Sequence, residues 1–510
     1  MSGAELDRMA MTVLQPGFDG TAPPDWLRHA LAGGLGGVVL FARNVTGPEG
    51  TAALVAGLRA EKPDVVVAVD EEGGVVTRME AATGSSWPGN LALGVADDES
   101  LTRGVARRIG RLVAAAGITL DYAPVVDVNA DPRNPVIGVR SFGSDPGLVA
   151  RHSAAWIEGL QSAGVAACAK HFPGHGDTVT DSHLALPTVS APRELLERRD
   201  LPPFRAAVAA GVRAVMCGHL LVPHLDDVPA TLSRAVVTGL LREELGFDGL
   251  VVTDAIEMRA VAALAPAGEI AVRALAAGVD AVCVGRSSER GESVYALRDA
   301  IAGAVRAGVL PEERLAEAAG RVRSLATWYA DHAAARAEAL AEPGEAPHEG
   351  LGQVAAGAAL RATGSAVPPV IRAAPFVVEL VAGQTQAVGR ARRLGLAGAL
   401  AEIVPGTTGI EIHAEDELAG PPGQPGQPGL HRLPGLADPS RPVVIAVQDA
   451  VRHDWMRRLL AEALAARPDA VVVETGIPGP PAGRVYLATH GGSTASARAA
   501  ARWLTGRDGG

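Results

Sequence analysis

The first 330 residues alternate between short apolar runs and longer segments of helical periodicity. The runs are rich in valine, isoleucine and leucine, whereas alanine, leucine and arginine dominate the segments between them. Strands are therefore predicted at Met11–Leu14, Gly37–Phe41, Val65–Asp70, Ile118–Val128, Val165–His171, Ala214–His219, Leu250–Asp254 and Ala281–Gly285. Strands that alternate with helices in this way predict an α/β fold with an N-terminal (β/α)8 TIM-type barrel.

Several of the predicted strands end in a polar or charged residue. These endings are Asp70, Asp127, Lys170-His171, His219 and Asp254. The carboxyl ends of all strands in such a barrel meet at one face, and the active sites of barrel enzymes lie there. The pattern favours a shared site at that face, although strands also stop at polar residues for purely structural reasons.

A second region of the chain follows a change in composition. From about residue 331 the sequence is rich in alanine, glutamate, proline and glycine, which indicates an exposed connector. Beyond it, buried strands are predicted at Phe376–Val381, Pro442–Val447 and Ala470–Glu474, and helices at Leu351–Thr363 and Trp455–Ala466. We predict a barrel domain over residues 1–335, a linker with a first helix over 336–369, and a smaller α/β sandwich over 370–510.

Composition limits the classes of partner. Hydrophobic residues make up 48% of the 510 residues, and the net charge is −11 without a basic stripe. Because phosphate neutralisation needs clustered lysine and arginine, a nucleic-acid partner is disfavoured. The three cysteines lie in apolar runs, which indicates reduced, buried thiols. With no secretory signal and no apolar run of membrane-spanning length, we expect a soluble cytoplasmic protein without a membrane partner.

The densest cluster of chemically versatile side chains is the segment Lys170–His183, KHFPGHGDTVTDSH. Its proline and glycines exclude a continuous helix, so its histidines cannot be paired ligands on one helical face. We expect a loop that follows a buried strand. Gly174 and Gly176, near its base, are candidate hinges for a moving loop.

Three interpretations of this loop are compared. Asp181 could orient the imidazole of His183 for proton transfer, or both could be ordinary surface residues on a turn. Metal binding is disfavoured, because no histidine pair has helical spacing and Lys170 would place a cation beside the ion. We therefore predict no metal and no cofactor.

Other strand ends supply further candidates. Asp254 ends a strongly apolar strand, where its carboxylate is either a nucleophile or base facing a cleft or a charge paired at the barrel mouth. Asp70 could accept hydrogen bonds from sugar hydroxyls, and Arg78 and Arg140 could bring forked donors to a polar ligand. Each arginine could equally form a structural ion pair.

Taken together, these segments resemble glycoside hydrolase family 3, in its β-N-acetylglucosaminidase (NagZ-type) branch. The matching segments are GGVVLFARN at Gly36–Asn44, DEEGG at Asp70–Gly74, APVVDVNADPRNPVIGVRSFG at Ala123–Gly143, KHFPGHGDTVTDSH at Lys170–His183, PATLS at Pro229–Ser233 and VVTDA at Val251–Ala255. Their order and approximate spacing agree over the first 330 residues. The second region resembles the α/β sandwich that follows the barrel in two-domain members.

The resemblance implies a role for each matching position. It implies that Asp254 is the nucleophile, His183 the general acid/base and Asp181 its orienting partner. The residues that it assigns to binding of an N-acetylglucosamine ring are Asp70, Arg78, Arg140, Lys170 and His171. Two positions depart from the family pattern, since Glu71 and Val75 stand where glutamine and arginine are usual, and both lie near the implied sugar pocket.

The implied reaction is retaining removal of terminal β-linked N-acetylglucosamine by double displacement. The natural glycan is left open between peptidoglycan fragments of the muropeptide type and chitin oligosaccharides, and the oligomeric state is unknown. A histidine acid/base would not repel an incoming anion, so a phosphorylase that uses phosphate in place of water is an alternative. A non-catalytic amino-sugar-binding protein is an alternative of another class, and it predicts loss of Asp254 or His183, which are both present.

Overall fold

The computed structural model describes residues 2–182, 185–343, 350–364, 371–382, 395–414, 436 and 438–507. Two compact units divide the chain. The first consists of Met1–Glu72, Glu99–Ile137 and Ser141–Gly344, and the second of Gly73–Asp98, Gly138–Arg140 and Glu345–Gly510. Neither unit is a single continuous stretch, because two short segments that follow barrel strands belong to the second unit.

The first unit is built on eight parallel strands. They are β1 (Leu14–Pro16), β2 (Gly37–Leu40), β3 (Val66–Val69), β4 (Leu120–Asp121), β5 (Ala166–Phe172), β6 (Ala214–Cys217), β7 (Leu250–Thr253) and β8 (Val282–Val284). Strands β2 to β7 form one sheet in sequence order, and β1 pairs with β8. Parallel bridges join Gly17 to Val39 and Val252 to Ala281, so the two sheets close into a ring. The predicted N-terminal barrel is confirmed.

Twelve α-helices are described in the first unit, most of them between consecutive barrel strands. They are α1 (Gly3–Thr12), α2 (Asp25–Ala32), α3 (Pro48–Glu61), α5 (Glu99–Ala115), α6 (Pro146–Ser162), α7 (Arg193–Arg199), α8 (Leu201–Ala209), α9 (Arg259–Ala262), α10 (Ala267–Ala277), α11 (Glu292–Arg306), α12 (Glu312–Asp331) and α13 (Ala333–Ala341). A π-helix, Ala235–Glu244, connects β6 to β7, and α4 (Asn90–Ala96) lies in the second unit. None of the described helices is long and apolar enough to cross a membrane.

The first predicted strand was wrong in position. Met11 and Thr12 end helix α1, and the strand begins at Leu14. The hydroxyl oxygen of Ser2 accepts a hydrogen bond from the backbone N–H of Glu5 and caps that helix. A short apolar run is compatible with either a buried helix end or a buried strand, so periodicity alone could not separate them.

The second unit contains a six-stranded sheet. Its strands are β9 (Arg361–Gly364), β10 (Phe376–Val381), β11 (Thr408–His413), β12 (Val443–Val447), β13 (Val471–Glu474) and β14 (Val485–Ala488). The spatial order is β11-β10-β12-β13-β14-β9, parallel except for β9. The unit's other helices are α14 (Leu351–Ala358), α15 (Leu396–Ile403), α16 (Asp454–Ala466) and α17 (Thr494–Thr505). The predicted helix Leu351–Thr363 therefore stops at Ala358, because the next residues form the edge strand β9.

Both faces of this sheet are covered by helices. Alternate residues of β10 point to opposite faces, with Val378 in the apolar cluster that contains Met456 of α16. Val377 lies in the opposite cluster, with Leu400 of α15 and Leu504 of α17. The strand order and the two helical layers are those of a doubly wound α/β fold, so the predicted C-terminal α/β sandwich is confirmed.

A buried carboxylate fastens helix α12 to the barrel strands. The side chain of Asp280 is fully buried and accepts hydrogen bonds from the guanidinium groups of Arg242, Arg314 and Arg321, the last two at 2.6 and 3.3 Å. Its Oδ2 also accepts the backbone N–H of Val251 in β7 at 2.9 Å. The π-helix, β7 and α12 are therefore joined through one carboxylate.

Replacement of Asp280 by alanine should destabilise the first unit strongly. Removing one member of a buried ion-pair network leaves the other charges uncompensated, at a cost of about 3–5 kcal/mol. Urea unfolding followed by circular dichroism should show a lower midpoint. The control is Asp299→Ala, whose carboxylate is 64% exposed in its pair with Arg298 and should change stability by less than about 1 kcal/mol. Equal midpoints for the two variants would contradict the assignment.

A second buried carboxyl group, that of Asp121, lies at the end of β4. Its Oδ1 accepts the backbone N–H of Glu71 at 2.9 Å, and its Oδ2 has no hydrogen-bond partner. Burial raises the pKa of Asp121 well above its ordinary value, and the charge of Glu71 raises that pKa further. The fold therefore favours the protonated form of this carboxyl group.

Asp121→Asn should stabilise the protein increasingly as pH rises. The unfolded carboxyl has a pKa of about 3.9, so the stability that depends on its proton is complete below that pH and is lost as pH rises toward the higher folded pKa. The neutral amide avoids this loss, and its advantage should grow by up to about 1.4 kcal/mol per pH unit. Urea midpoints of wild type and variant at pH 5, 6, 7 and 8 measure the effect. Parallel pH profiles would contradict it, and Asp299→Asn should give such a parallel profile.

Candidate active site

The carboxyl ends of the barrel strands bring four of the predicted site residues to one rim. Asp70 directly follows β3, Lys170 and His171 lie in β5, and Asp254 directly follows β7. These strands belong to one parallel sheet, so their carboxyl ends face the same way. The sequence predicted that these side chains lie together because each stands at the end of an apolar run. The parallel pairing of the strands brings those ends to the same edge of the sheet.

The centre of this rim is the buried ammonium group of Lys170. Its Nζ lies 2.8 Å from Oδ1 of Asp70 and 2.7 Å from Oε1 of Glu72, and only 2% of the side chain is exposed. A buried ammonium is stable only when it is paired, because removing it from water costs several kcal/mol. Glu72, which is also buried, was not among the predicted site residues, although it is the third residue of the DEEGG segment.

His171 is oriented by a fully buried carboxylate, Asp127. His171 Nδ1 lies 2.8 Å from Oδ2 of Asp127, and the backbone N–H groups of His171 and His175 also donate to that carboxylate. Burial acts to raise the pKa of Asp127, but the charge of His171 and these hydrogen bonds outweigh it and hold the pKa below its ordinary value. An ionised carboxylate can only accept, so the Nδ1 atom of His171 carries a proton. The sequence identified Asp127 as a strand ending but not as this partner.

His175 and Asp177 make contacts inside the protein. The Nδ1 atom of His175 lies 2.8 Å from the hydroxyl of Thr178, and its Nε2 lies 3.4 Å from that of Ser182. Burial and the neighbouring His171 lower the pKa of His175 to about 4, so this imidazole is neutral at pH 7. Asp177 forms an ion pair with Arg199 at 2.8 Å. These contacts hold the loop in place, which indicates a structural role for His175 and Asp177.

The two glycines proposed as hinges are closely packed. A Cβ atom on Gly176 would lie 1.7 Å from the carbonyl oxygen of Val128, and one on Gly174 would lie 2.9 Å from Cβ of Asp200. Gly174 also has a φ of +129°, which favours glycine. Alanine at either position would disturb the packing of the loop base, so these glycines are explained by close approach without any hinge motion.

Asp254 lies at a turn held by backbone hydrogen bonds. Its N–H donates to the carbonyl of Cys217 at 3.1 Å, and its Oδ1 accepts the N–H of Ala255 at 2.8 Å. Burial raises the pKa of Cys217 to about 12, and the charge of Asp254 contributes to that increase. His219 supports the same turn, because its Nε2 lies 3.1 Å from the carbonyl oxygen of Ala255. The sequence identified His219 as a strand ending without giving it this role.

The far end of the loop approaches the segment that follows Asp254. Asp181 is partly exposed and its carbonyl accepts the N–H of Ala185 at 3.1 Å. The carbonyl of Ser182 accepts the N–H of Ala260 in α9, six residues after Asp254, at 3.3 Å. These backbone contacts join the loop after β5 to the loop after β7. The predicted acid/base His183 lies outside the described residues.

Arg78 and Arg140, the two predicted arginines, are buried in the second unit. The carbonyl of Arg140 accepts a hydrogen bond from Nδ2 of Asn90 at 2.7 Å. Val139, next to Arg140, packs with Val75 and Val76 near Arg78 and with Ile477. The two arginine-bearing segments therefore share one apolar cluster. Among the described residues, no group of three or more histidine, cysteine, aspartate and glutamate side chains is placed to hold a metal ion.

Comparisons with known proteins agree with the geometry of the barrel. Residues 19–325 match the family model "Glycosyl hydrolase family 3 N terminal domain". Beta-hexosaminidase A of Pseudoalteromonas piscicida is 32% identical over 358 residues, which are 65% of this chain and 60% of that protein. A beta-hexosaminidase of Pseudomonas aeruginosa is 38% identical over 268 residues, which are 51% of this chain and 78% of that protein. The chain thus aligns with less than two thirds of the first relative.

A solved structure is similar over nearly the whole chain. It is that of a glycoside hydrolase family 3 beta-N-acetylglucosaminidase from Paenibacillus sp. str. FPU-7, with 34% identity and a TM-score of 0.83. The similarity covers 98% of this chain and 97% of the Paenibacillus chain. The resemblance that the sequence motifs indicated is confirmed. The match over residues 19–325, on a closed barrel with paired charges at its carboxyl rim, shows that the chain belongs to glycoside hydrolase family 3.

Proposed function

We propose that this protein is a retaining exo-β-N-acetylglucosaminidase that removes terminal β-linked N-acetylglucosamine. The observation that carries the proposal is the rim that unites the Lys170–Asp70 ion pair, the oriented His171 and the turn of Asp254. Family membership and the names of its relatives, hexosaminidases and an N-acetylglucosaminidase, support this substrate class.

In the proposed reaction Asp254 attacks the anomeric carbon while His183 protonates the departing oxygen. The neutral imidazole then removes a proton from water, which releases the sugar from Asp254 with net retention. Asp181 orients His183 in this reaction, and the proposal is supported by the backbone hydrogen bond from Ala260 to Ser182, which joins the loops after β5 and β7.

The sugar is held by the charged and polar groups around Lys170. Asp70, with 20% of its side chain exposed, accepts hydrogen bonds from ring hydroxyls, and Lys170 fixes its carboxylate. His171 donates from a ring whose orientation Asp127 sets. Arg78 and Arg140 complete the proposed set of binding residues, and neither a metal nor a cofactor takes part.

We further propose a cytoplasmic role in peptidoglycan recycling, with muropeptide-type fragments as substrates. The three cysteines, Cys168, Cys217 and Cys283, are buried and unpaired, which suits a reducing compartment. A comparison of turnover on muropeptide fragments with turnover on chitin oligosaccharides would test this assignment. Faster release of N-acetylglucosamine from chitin oligosaccharides would overturn it. We propose the boundaries at residues 335 and 369 as divisions of the linear sequence; the two compact units each combine several separate segments.

Asp254→Asn should abolish hydrolysis of an aryl N-acetyl-β-glucosaminide. Loss of a nucleophile lowers kcat by several orders of magnitude, on the order of 10³-fold or more. The assay measures aryl release and the anomer formed first, which should be β for the wild type. Asp299→Asn, at an exposed carboxylate, is the control and should retain full activity. An Asp254→Asn variant with normal turnover would overturn the nucleophile assignment.

The same assay with and without inorganic phosphate tests the acceptor. Water as acceptor predicts free N-acetylglucosamine and a rate that does not depend on phosphate. Formation of the sugar 1-phosphate would instead establish the phosphorylase alternative. A wild-type protein that binds the sugar but cleaves no aryl glycoside between pH 5 and pH 8 would establish a binding protein.

Asp127→Asn should raise KM more than it lowers kcat. The amide cannot accept all three N–H groups as the carboxylate does, so His171 loses its fixed orientation. Misplacement of a positioned group by about 1 Å can cost on the order of 10²-fold. Steady-state kinetics measure both constants. Asp177→Asn, on the same loop but paired with Arg199, is the matched control and should change KM less than about twofold. An unchanged KM with a large fall in kcat would show that Asp127 acts on the chemical step instead.

A further inference from the structure

The second unit contains a cavity at the carboxyl ends of its parallel strands. Its volume is about 410 Å³, within the range of small-molecule sites. The end of β10 contributes Glu379 to Val381, and the ends of β12 and β13 contribute Gln448 and Thr475. The turn Gly491–Ser493 and the first turns of α17 line the remaining side. This cavity does not include any of the residues assigned to the reaction.

The position of the cavity follows from the topology of the sheet. The chain passes from β10 to β11 on one side and then crosses to β12 on the other side of β10. In open α/β sheets this reversal of strand order leaves a crevice outside the carboxyl ends, and ligands bind there. The cavity is lined by the ends of β10, β11 and β12, so it lies at this reversal.

Two threonine hydroxyl groups of the cavity can act as hydrogen-bond acceptors for a ligand. The hydroxyl of Thr475 donates to the carbonyl of Val447 at 3.1 Å, and that of Thr489 donates to the carbonyl of Gly491 at 3.0 Å. Each hydroxyl oxygen can therefore only accept from a ligand. Ser493 already accepts the N–H of Ser496 as the N-cap of α17.

Two glutamates give the cavity its charge. Glu379 and Glu411 are directly opposite each other on the parallel strands β10 and β11. The carboxylate of Glu379 accepts the N–H groups of Leu396 and Ala397, so it already occupies the start of α15. Burial raises the pKa of Glu379, and the charge of Glu411 raises it further. None of the described lining residues is a lysine or an arginine, and Nε2 of His413, which also lines the cavity, lies 3.6 Å from Oε2 of Glu411.

We propose that this cavity binds a small organic cation rich in hydrogen-bond donors, of the amino-sugar type. The ammonium group of the ligand lies between Glu379 and Glu411, and its hydroxyl groups donate to Thr475 and Thr489. The carbon skeleton packs against Leu380, Val447 and Val473, which form the apolar part of the wall. The inference does not depend on the proposed barrel reaction, because every group that it uses lies in the second unit.

Calorimetric titration of the full-length protein with glucosamine tests this site. We expect saturable binding of one molecule per chain, at least tenfold tighter than glucose, and no binding of glucose 6-phosphate. Glu411→Gln removes the exposed carboxylate at the cavity and should weaken glucosamine binding at least tenfold. Glu462→Gln, an exposed glutamate on α16 outside the cavity, is the matched control and should leave binding unchanged.

A second pair of variants separates this site from the barrel. Ala497→Phe on α17 places a ring in the cavity and should abolish binding, whereas Asp70→Asn at the barrel rim should not affect it. If Ala497→Phe does not fold, Glu411→Gln alone decides the result. The proposal is overturned if glucosamine gives no saturable heat, if glucose binds equally well, if Glu411→Gln binds like the wild type, or if Asp70→Asn abolishes binding.

Discussion

The carboxyl rim of the barrel depends on one ammonium group that is almost entirely removed from water. Lys170 in β5 can be buried only because Asp70 and Glu72 bring two carboxylates to its Nζ. Asp70 and Glu72 both contact Lys170, whereas Glu71 between them donates its N–H to Asp121. One three-residue segment thus fixes β3, β4 and β5 relative to one another at the rim.

The charge balance of this cluster matters for the proposed chemistry. Two carboxylates and one ammonium leave a net negative charge at the rim, to which Asp254 adds another. A glycosyl transition state carries positive charge near the anomeric carbon, and fixed negative groups stabilise it without reorganisation. Lys170 keeps Asp70 in one orientation, so the carboxylate need not move when charge develops. The same pairing explains why a lysine, rather than an apolar residue, occupies a strand end with 2% exposure.

The sequence predicted most of the barrel because six of its eight strands, β2, β3 and β5 to β8, contain a continuous run of apolar residues. The prediction was too long at β4, where only Leu120–Asp121 of the predicted Ile118–Val128 forms a strand. It failed at β1, where the apolar run is shared between the end of α1 and the strand. It also missed β11, whose residues Thr408 to Ile410 are exposed at the edge of the sheet. Candidate residues at strand ends could be found, because a charged or polar residue directly after an apolar run is visible in the sequence. Their partners could not, because the pairing of Glu72 with Lys170 and of Asp127 with His171 depends on which strands are neighbours.

The division of the chain into units was equally hidden from the sequence. A boundary drawn near residue 335 assigns Arg78 and Arg140 to the barrel, but their segments pack with Ile477 in the apolar cluster of the second unit. Loops after β3 and β4 are therefore built on the second unit's core, and their backbone geometry is set there. The second unit therefore also holds the segments that contain Arg78 and Arg140. The packing of Val139 with Val75, Val76 and Ile477 determines the conformation of the segments that carry Arg78 and Arg140.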